Sequence, residues 1–181
     1  MRPFLSAICC LALVVGLPSV TEAQPYPRPE EVATPEALLA AVYDTFKRAP
    51  GENIDWDRFR SFYAPGAVMI PNVEQTNGEW RIMSVDDFVE WIEGIFAEHS
   101  PIGSPEDDGM AEDEIHRTIE RYGDVAQVMS TYERHAWESD EIDGRGINAM
   151  TLVRNGGRWW IVSVAWDEES GAGPIPDRYM P

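Results

Sequence analysis

Residues 112–167 read EDEIHRTIERYGDVAQVMSTYERHAWESDEIDGRGINAMTLVRNGGRWWIVSVAWD, and their punctuation decides the fold. Side chains alternate with a period of two through Glu112–Tyr122, Val125–Glu138, Gly146–Val153 and Arg158–Asp167. Gly123-Asp124, Asp143-Gly144 and Asn155-Gly156-Gly157 interrupt the runs with turn residues. This pattern predicts four strands joined as an antiparallel meander. In the last run Trp159, Ile161, Ser163 and Ala165 fall on one face, and Trp160, Val162, Val164 and Trp166 on the other. Val125 and Met129 likewise oppose Ala126 and Val128. A strand apolar on both sides is expected to be buried on both sides.

Working back toward the N-terminus, the period changes to that of a helix. Thr34 is placed to cap a helix that starts at Pro35 and carries Leu38, Leu39, Val42, Tyr43 and Phe46 on one face. Asp55 caps a shorter one bearing Trp56, Phe59, Phe62 and Tyr63, ended by Ala64-Pro65-Gly66. Ala67–Ile70 is a short strand, and Asn77-Gly78 predicts a hairpin partner over Glu79–Ile82. Ser84-Val85-Asp86-Asp87 has the spacing of a capping box. It opens a third helix, from Val85 to about Glu98, striped by Phe88, Trp91, Ile92, Ile95 and Phe96. The order predicts an α+β fold, with three N-terminal helices packed on one face of a curved antiparallel sheet. Three helices cannot cover two faces. The outer face therefore needs a second subunit packed sheet to sheet, giving a homodimer, or the C-terminal tail folded back over it.

Composition sets the outer limits. The chain has 181 residues, 44% of them apolar and 25% charged, which is the make-up of one globular domain. Its formal net charge of -18 argues against nucleic acid or an anionic membrane as a partner, since both need a basic footprint. Arg2, the apolar run from Phe4 to Leu17 and the small residues of Thr21-Glu22-Ala23 follow the order of a secretory signal peptide. We expect cleavage after Ala23, a Pro-rich linker over 24–34, a domain over 35–168 and a tail over 169–181. Both cysteines, Cys9 and Cys10, fall inside the signal, so the mature chain has no disulfide and must be held by its core. A periplasmic or secreted bacterial protein is expected.

Several stretches resemble the nuclear transport factor 2-like superfamily, which includes ketosteroid isomerases and polyketide cyclases. Asp55-Trp56-Asp57-Arg58-Phe59 and Tyr63-Ala64-Pro65-Gly66-Ala67 resemble its second helix and the exit into its first strand. Gly123-Asp124-Val125-Ala126 resembles the turn into its central strand. Arg145-Gly146-Ile147-Asn148 and Arg158-Trp159-Trp160-Ile161-Val162 resemble its last hairpin. Ser130-Thr131-Tyr132-Glu133-Arg134 and Pro174-Ile175-Pro176 resemble an exported bacterial branch. The resemblance covers about residues 36–168. It implies a cone-shaped sheet with helices around an apolar pocket, lined in the enzymes by a carboxylate or histidine base facing hydrogen-bond donors. Tyr63, Trp91 and Trp166 would line such a pocket.

Proton abstraction beside a carbonyl needs a base of tuned pKa and a donor for the enolate oxygen. Asp167, beside Trp166, is the candidate base, and Tyr132 the candidate donor. Arg134 shares the face of Tyr132 and is placed to bind a ligand, and Asn148 is a polar residue in an apolar strand. Each has a plainer reading. Asp167 would be a solvated strand end, Tyr132 a core ring, Arg134 half of an ion pair, and Asn148 a local partner of Tyr132 or Arg134. The acids Glu106-Asp107-Asp108 and Glu112-Asp113-Glu114 lack the spacing of a calcium loop and are expected to be a solvated charge run. The three histidines show no zinc spacing, and no phosphate or dinucleotide fingerprint is present, so neither metal nor cofactor is expected. Trp80 and Trp137 are candidates for a pocket rim or an interface. Two functions remain open. One is an exported protein that binds a small apolar molecule. The other is an acid–base enzyme acting on a small organic carbonyl compound.

Overall fold

Three helices start where a side chain can take up their unpaired backbone N–H groups. In this computed structural model, which describes residues 26–181, α1 (Pro35–Thr45) is capped by Thr34, whose hydroxyl accepts from Ala37 N at 3.1 Å. Asp55 caps α2 (Trp56–Ser61) by accepting from Arg58 N at 3.0 Å. Ser84 and Asp87 close a reciprocal capping box on α3 (Val85–His99). A fourth helix, α4 (Glu169–Ala172), is a single turn after the last strand. Residues 1–23, expected from the sequence to be a signal peptide, and both cysteines lie outside the described residues.

The six strands are β1 (Tyr63–Ile70), β2 (Met83–Ser84), β3 (Ala111–Tyr122), β4 (Val125–His135), β5 (Ile142–Asn155) and β6 (Arg158–Glu168). They form one sheet in the order β2-β1-β6-β5-β4-β3. The meander β3–β6 is antiparallel throughout. The sheet as a whole is mixed, because β1 runs parallel to β6. The helices are not all N-terminal either, since α3 follows β1 and β2.

Two turn signals read differently in three dimensions. Asn77 and Gly78 do turn the chain, with φ of 56° and 84°. Residues 79–82 form no strand, however, and the partner of β1 is the two-residue β2, set opposite Val68 and Met69. The buried Thr76 hydroxyl bonds backbone carbonyls within 72–79 and gathers this segment into a loop instead of a ladder. Asp143-Gly144 is no turn at all. It lies inside β5, and the connection from β4 runs over residues 136–141.

The core lies between the inner face of the sheet and the helices. Leu38, Leu39, Phe59, Phe62, Leu152 and Ile161 are fully buried there. Burial of each such side chain contributes roughly 1.5–3 kcal/mol. The stripe of α3 divides along its length: Phe88 is buried, whereas Trp91, Ile92, Ile95 and Phe96 are half-buried.

Bulges decide which residues face inward. β6 has one extra residue opposite β5, because Leu152 pairs with Ile161 while Thr151 pairs with Ser163. Beyond Val162 the faces exchange. Trp159, Ile161, Val164 and Trp166 all point inward, which simple alternation does not allow. A second shift lies between Glu114 and His116 on β3. On the outer face, the tail folds back over β3 and β4, where Tyr179 O accepts from the Thr131 hydroxyl at 2.6 Å and Thr131 is wholly buried.

Candidate functional site

The half-buried side of α3, the end of α1 and the inner face of β4–β6 enclose a cavity of about 780 Å³. Phe46, Phe59, Phe88, Trp91, Phe96 and Trp166 give it aromatic walls. The rings pack edge-on, tilted or stacked; Phe88, for example, meets Trp166 edge-on at 5.7 Å and 81° and stacks on Phe59 at 5.7 Å and 28°. At the opposite end the wall is polar, and that end is built by four strands in register.

Directly paired residues of antiparallel strands share a face. One row across the sheet reads Glu168 (β6), Gly146 (β5), Tyr132 (β4) and Glu114 (β3). The row beside it contains Gly144, Arg134 and Glu112. The two glycines make a trough. Tyr132 lies across Gly146 and donates its hydroxyl proton to Glu168 Oε1 at 3.0 Å. Arg134 lies across Gly144 and reaches the same oxygen with Nη1 at 2.8 Å, while its Nε faces Asp143 at 3.3 Å. Gln75 Nε2 is a third donor to Glu168 Oε1 at 3.1 Å, and its own carbonyl accepts from Trp166 Nε1 at 2.7 Å.

A Cβ on Gly146 would lie 2.6 Å from the Tyr132 hydroxyl and 2.5 Å from Asp167 O. Gly146→Ala is therefore expected to cost about 1–3 kcal/mol of stability through overpacking. Urea unfolding measures this, and an unchanged midpoint would contradict the crossing of Tyr132 over Gly146.

A second polar chain runs behind the first. Asn148 Nδ2 donates to the Tyr43 hydroxyl at 3.0 Å, Tyr43 lies 2.8 Å from Ser130 Oγ, and Ser130 donates to Glu114. Because Ser130 gives its proton to a carboxylate, Tyr43 must give its own to Ser130. Every proton in this chain thus runs toward Glu114.

Glu112 is the exception. Its carboxyl is half-buried against the cavity, and no donor among the described residues meets it in full hydrogen-bond geometry. Burial pushes its pKa up to about 7; the Arg134 charge opposes the shift, Glu168 adds to it and the facing Asn148 amide eases it. Burial and the nearby Glu112 and Glu168 charges raise the pKa of Tyr132, and burial raises those of Tyr43 and Tyr63, so all three phenols stay neutral. Burial works against the charge of Arg134, but its bond to Glu168 keeps it protonated.

The helices and the curved sheet that carry this site have relatives among solved structures. The chain is similar to a solved protein of unknown function with a cystatin-like fold from Nostoc punctiforme, at TM-score 0.57 and 10% identity, over 75% of this chain and 89% of that one. It is also similar to a nuclear transport factor 2-like protein of unknown function from Pseudomonas putida, at TM-score 0.54 and 13% identity, over 73% and 82% of the two chains. The chain has the nuclear transport factor 2-like fold. Neither a protein-family model nor a curated protein matches it. At such identities the likeness is one of fold.

Within this nuclear transport factor 2-like fold the residues singled out in the sequence are distributed as follows. Tyr63, Trp91, Tyr132, Arg134, Asn148 and Trp166 all border this cavity. Asp167 does not. It is exposed, and its carboxylate accepts from Glu168 N at 2.9 Å. The extra residue at Val162 turns Asp167 outward and Glu168 inward, so the expected base is displaced from the site. Tyr132 spends its single proton on Glu168, which removes it as a donor to a ligand oxygen. Asn148 pairs with Tyr43, not with Tyr132 or Arg134. Trp80 is 73% exposed and lies outside the cavity lining, and Trp137 packs beside Gly109.

Sequence reasoning missed Glu112, Glu168, Gln75 and Tyr43 as site residues. The two acidic triplets are solvated only in part: Glu106 and Asp108 are exposed, and the others are engaged. Glu112 and Glu114 face inward on β3, while Asp113 points outward to Lys47 and His135. Asp107 is buried against Arg48.

Proposed function

We propose that the protein binds a small molecule whose apolar body fills the aromatic part of the cavity and whose polar end meets Glu112. The observation that carries this reading is the cavity itself: about 780 Å³, aromatic at one end, with a small convergent polar set at the other. Ligand sites have this size and this division of labour. We further propose that the chain is exported by its N-terminal segment and pairs with a second copy through the part of the outer face the tail leaves open. That part includes Ala149, Thr151, Val162 and Ala165, all half-buried in the single chain.

A second reading, acid–base chemistry on a small organic carbonyl compound, rests on the Glu112 carboxyl, whose pKa of about 7 suits proton transfer near neutral pH. It is the weaker of the two, because enolate formation also needs a donor, and the protons of Tyr132, Tyr43 and Ser130 are already committed.

Native mass spectrometry of the protein, purified gently from the compartment in which it accumulates, tests the binding reading. The expected spectrum is a dimer carrying an added small-molecule mass. A bare monomer that gains no mass when incubated with apolar compounds would contradict both the ligand and the pairing.

A further inference from the structure

Resting on the small-molecule reading, we infer that the ligand is an organic amine, seated with its protonated nitrogen against the carboxylate of Glu112 and its apolar body among the aromatic rings. Three observations carry this.

The first is the direction of the protons. Tyr132, Arg134 and Gln75 all donate to Glu168, and Asn148, Tyr43 and Ser130 donate in series toward Glu114. Glu112 is the group left facing the cavity with acceptor capacity to spare, since the Asn148 amide is the one neighbour that eases its charge and also serves Tyr43. A carboxylate has about four lone-pair sites, so the complementary ligand brings N–H groups to those left open.

The second is charge. The acids Glu98, Glu112 and Glu168 line the cavity against Arg134, which already faces Glu168 and Asp143, and His99 on α3. An incoming carboxylate at the polar end would meet the carboxyls of Glu112 and Glu168, with the Arg134 charge already engaged. An ammonium group would complete the balance. The net charge of -18 draws cations toward the protein in the same sense.

The third is the wall. Phe46, Phe59, Phe88, Trp91, Phe96 and Trp166 give the apolar body of the amine a surface to fill, and a ring that turns its π face to the nitrogen favours a cation over a neutral group of the same shape.

The pH dependence has a definite sign. Glu112 is faced by Tyr132 and Arg134 from β4, Asn148 from β5, Glu168 from β6, Tyr63 from β1 and Tyr43 from α1. The phenols are neutral and Arg134 stays charged across the neutral range; Glu98 and His99 of α3 also line the cavity, so loss of the pH dependence in Glu112→Gln is what assigns it to Glu112. With its pKa at about 7, the fraction ionised rises about tenfold from pH 6 to pH 8, and amine affinity should follow it.

Calorimetric titration of the protein with 2-naphthylmethylamine, 2-naphthalenemethanol and 2-naphthoate at pH 6 and pH 8 tests the inference. The expected result at pH 8 is amine binding about tenfold or more tighter than the alcohol, with no binding of naphthoate. Amine affinity falls about tenfold at pH 6, and alcohol affinity does not change. In Glu112→Gln the preference for the amine and its pH dependence both disappear, while the alcohol binds within about twofold of its original affinity. Equal or tighter binding of the alcohol or naphthoate would overturn the amine assignment and leave small-molecule binding standing. So would an amine preference that survives Glu112→Gln. Failure of all three probes to bind, with no change in tryptophan fluorescence, would overturn both readings. Should Glu112→Gln not fold, the comparison of the three probes and the pH dependence on the natural protein still decide.

Discussion

Glu112→Gln is expected to melt at a higher temperature than the natural protein at pH 8, and at nearly the same temperature at pH 4. The reason is linkage between protonation and folding. An unfolded glutamate ionises with a pKa near 4.5, whereas burial raises that of folded Glu112 to about 7. Below pH 4.5 both states hold the proton, and the residue is neutral toward stability. Between the two values the folded state keeps a proton that the unfolded chain has released, and stability declines as pH rises. Above about pH 7 the full penalty is present, on the order of 3 kcal/mol from the size of the shift. Glutamine keeps the shape and cannot ionise, so the penalty vanishes. Thermal melts of both proteins at pH 4, 6 and 8 measure the effect. A variant less stable than the natural protein at pH 8 would contradict the placement of Glu112 in an environment that disfavours its charge. A protein that tolerates such a penalty at neutral pH has a reason to keep the carboxyl, and an incoming donor supplies one.

The positions of Glu112 and Glu168 also show how far the sequence can be read. The meander, the three main helices and their caps were legible, because Thr34, Asp55 and Ser84 act through local hydrogen bonds and the strand period is local too. The wall of the cavity was legible where helical spacing sets it, as for Trp91. What alternation cannot show is a change of phase. Each bulge adds one residue to one strand, and every side chain beyond it turns to the other face. The shift at Val162 moved Asp167 out and Glu168 in. The shift between Glu114 and His116 put Glu112 and Glu114 on the same face as Ile119, although simple alternation separates them. Both missed carboxyls lie on a bulged strand, where the shift decides which face they take. Gly144 and Gly146 carried a different signal. Two glycines one residue apart within a strand mark a close approach, here by Arg134 and Tyr132, and the Asp143-Gly144 pair read as a turn only because the strand's start was placed too late.

Asp107→Ala should be the most damaging single change outside the hydrophobic core, costing about 3–5 kcal/mol. Asp107 lies in the loop between α3 and β3 and gathers donors from three places. Its Oδ2 accepts from Gly51 N and Gly103 N, both at 2.8 Å, and its Oδ1 accepts from Gly109 N at 3.2 Å. Arg48 Nη1 meets Oδ1 at 2.7 Å, with both side chains buried. Arg48 also exchanges two backbone hydrogen bonds with Met110 and sets its guanidinium 5.0 Å from the centre of the Phe96 ring. One carboxylate thus ties the end of α1, the loop and α3 together without a covalent link. Truncation to alanine strands three N–H groups and leaves a buried guanidinium uncompensated, and both penalties fall on the same few residues. The backbone donors of Gly103 and Gly51, followed by Arg48 and Gly109, hold the Asp107 pKa well below the usual carboxylate range. A lowered folded pKa stabilises above the unfolded value of about 3.9 and is lost as pH falls below it, so the acid limb of the stability profile should flatten in the variant. Urea unfolding at pH 7 and pH 3 reads both effects. A loss below about 1 kcal/mol at pH 7, or an unchanged acid limb, would show that the clamp is incidental. Removing both charges together, as Arg48→Met with Asp107→Leu, should recover part of the loss, because the penalty belongs to the orphaned partner and not to the missing attraction alone. Phe96, His99 and Met110 sit beside this clamp and line the cavity, so the same substitution should also weaken ligand retention, whichever ligand the cavity takes.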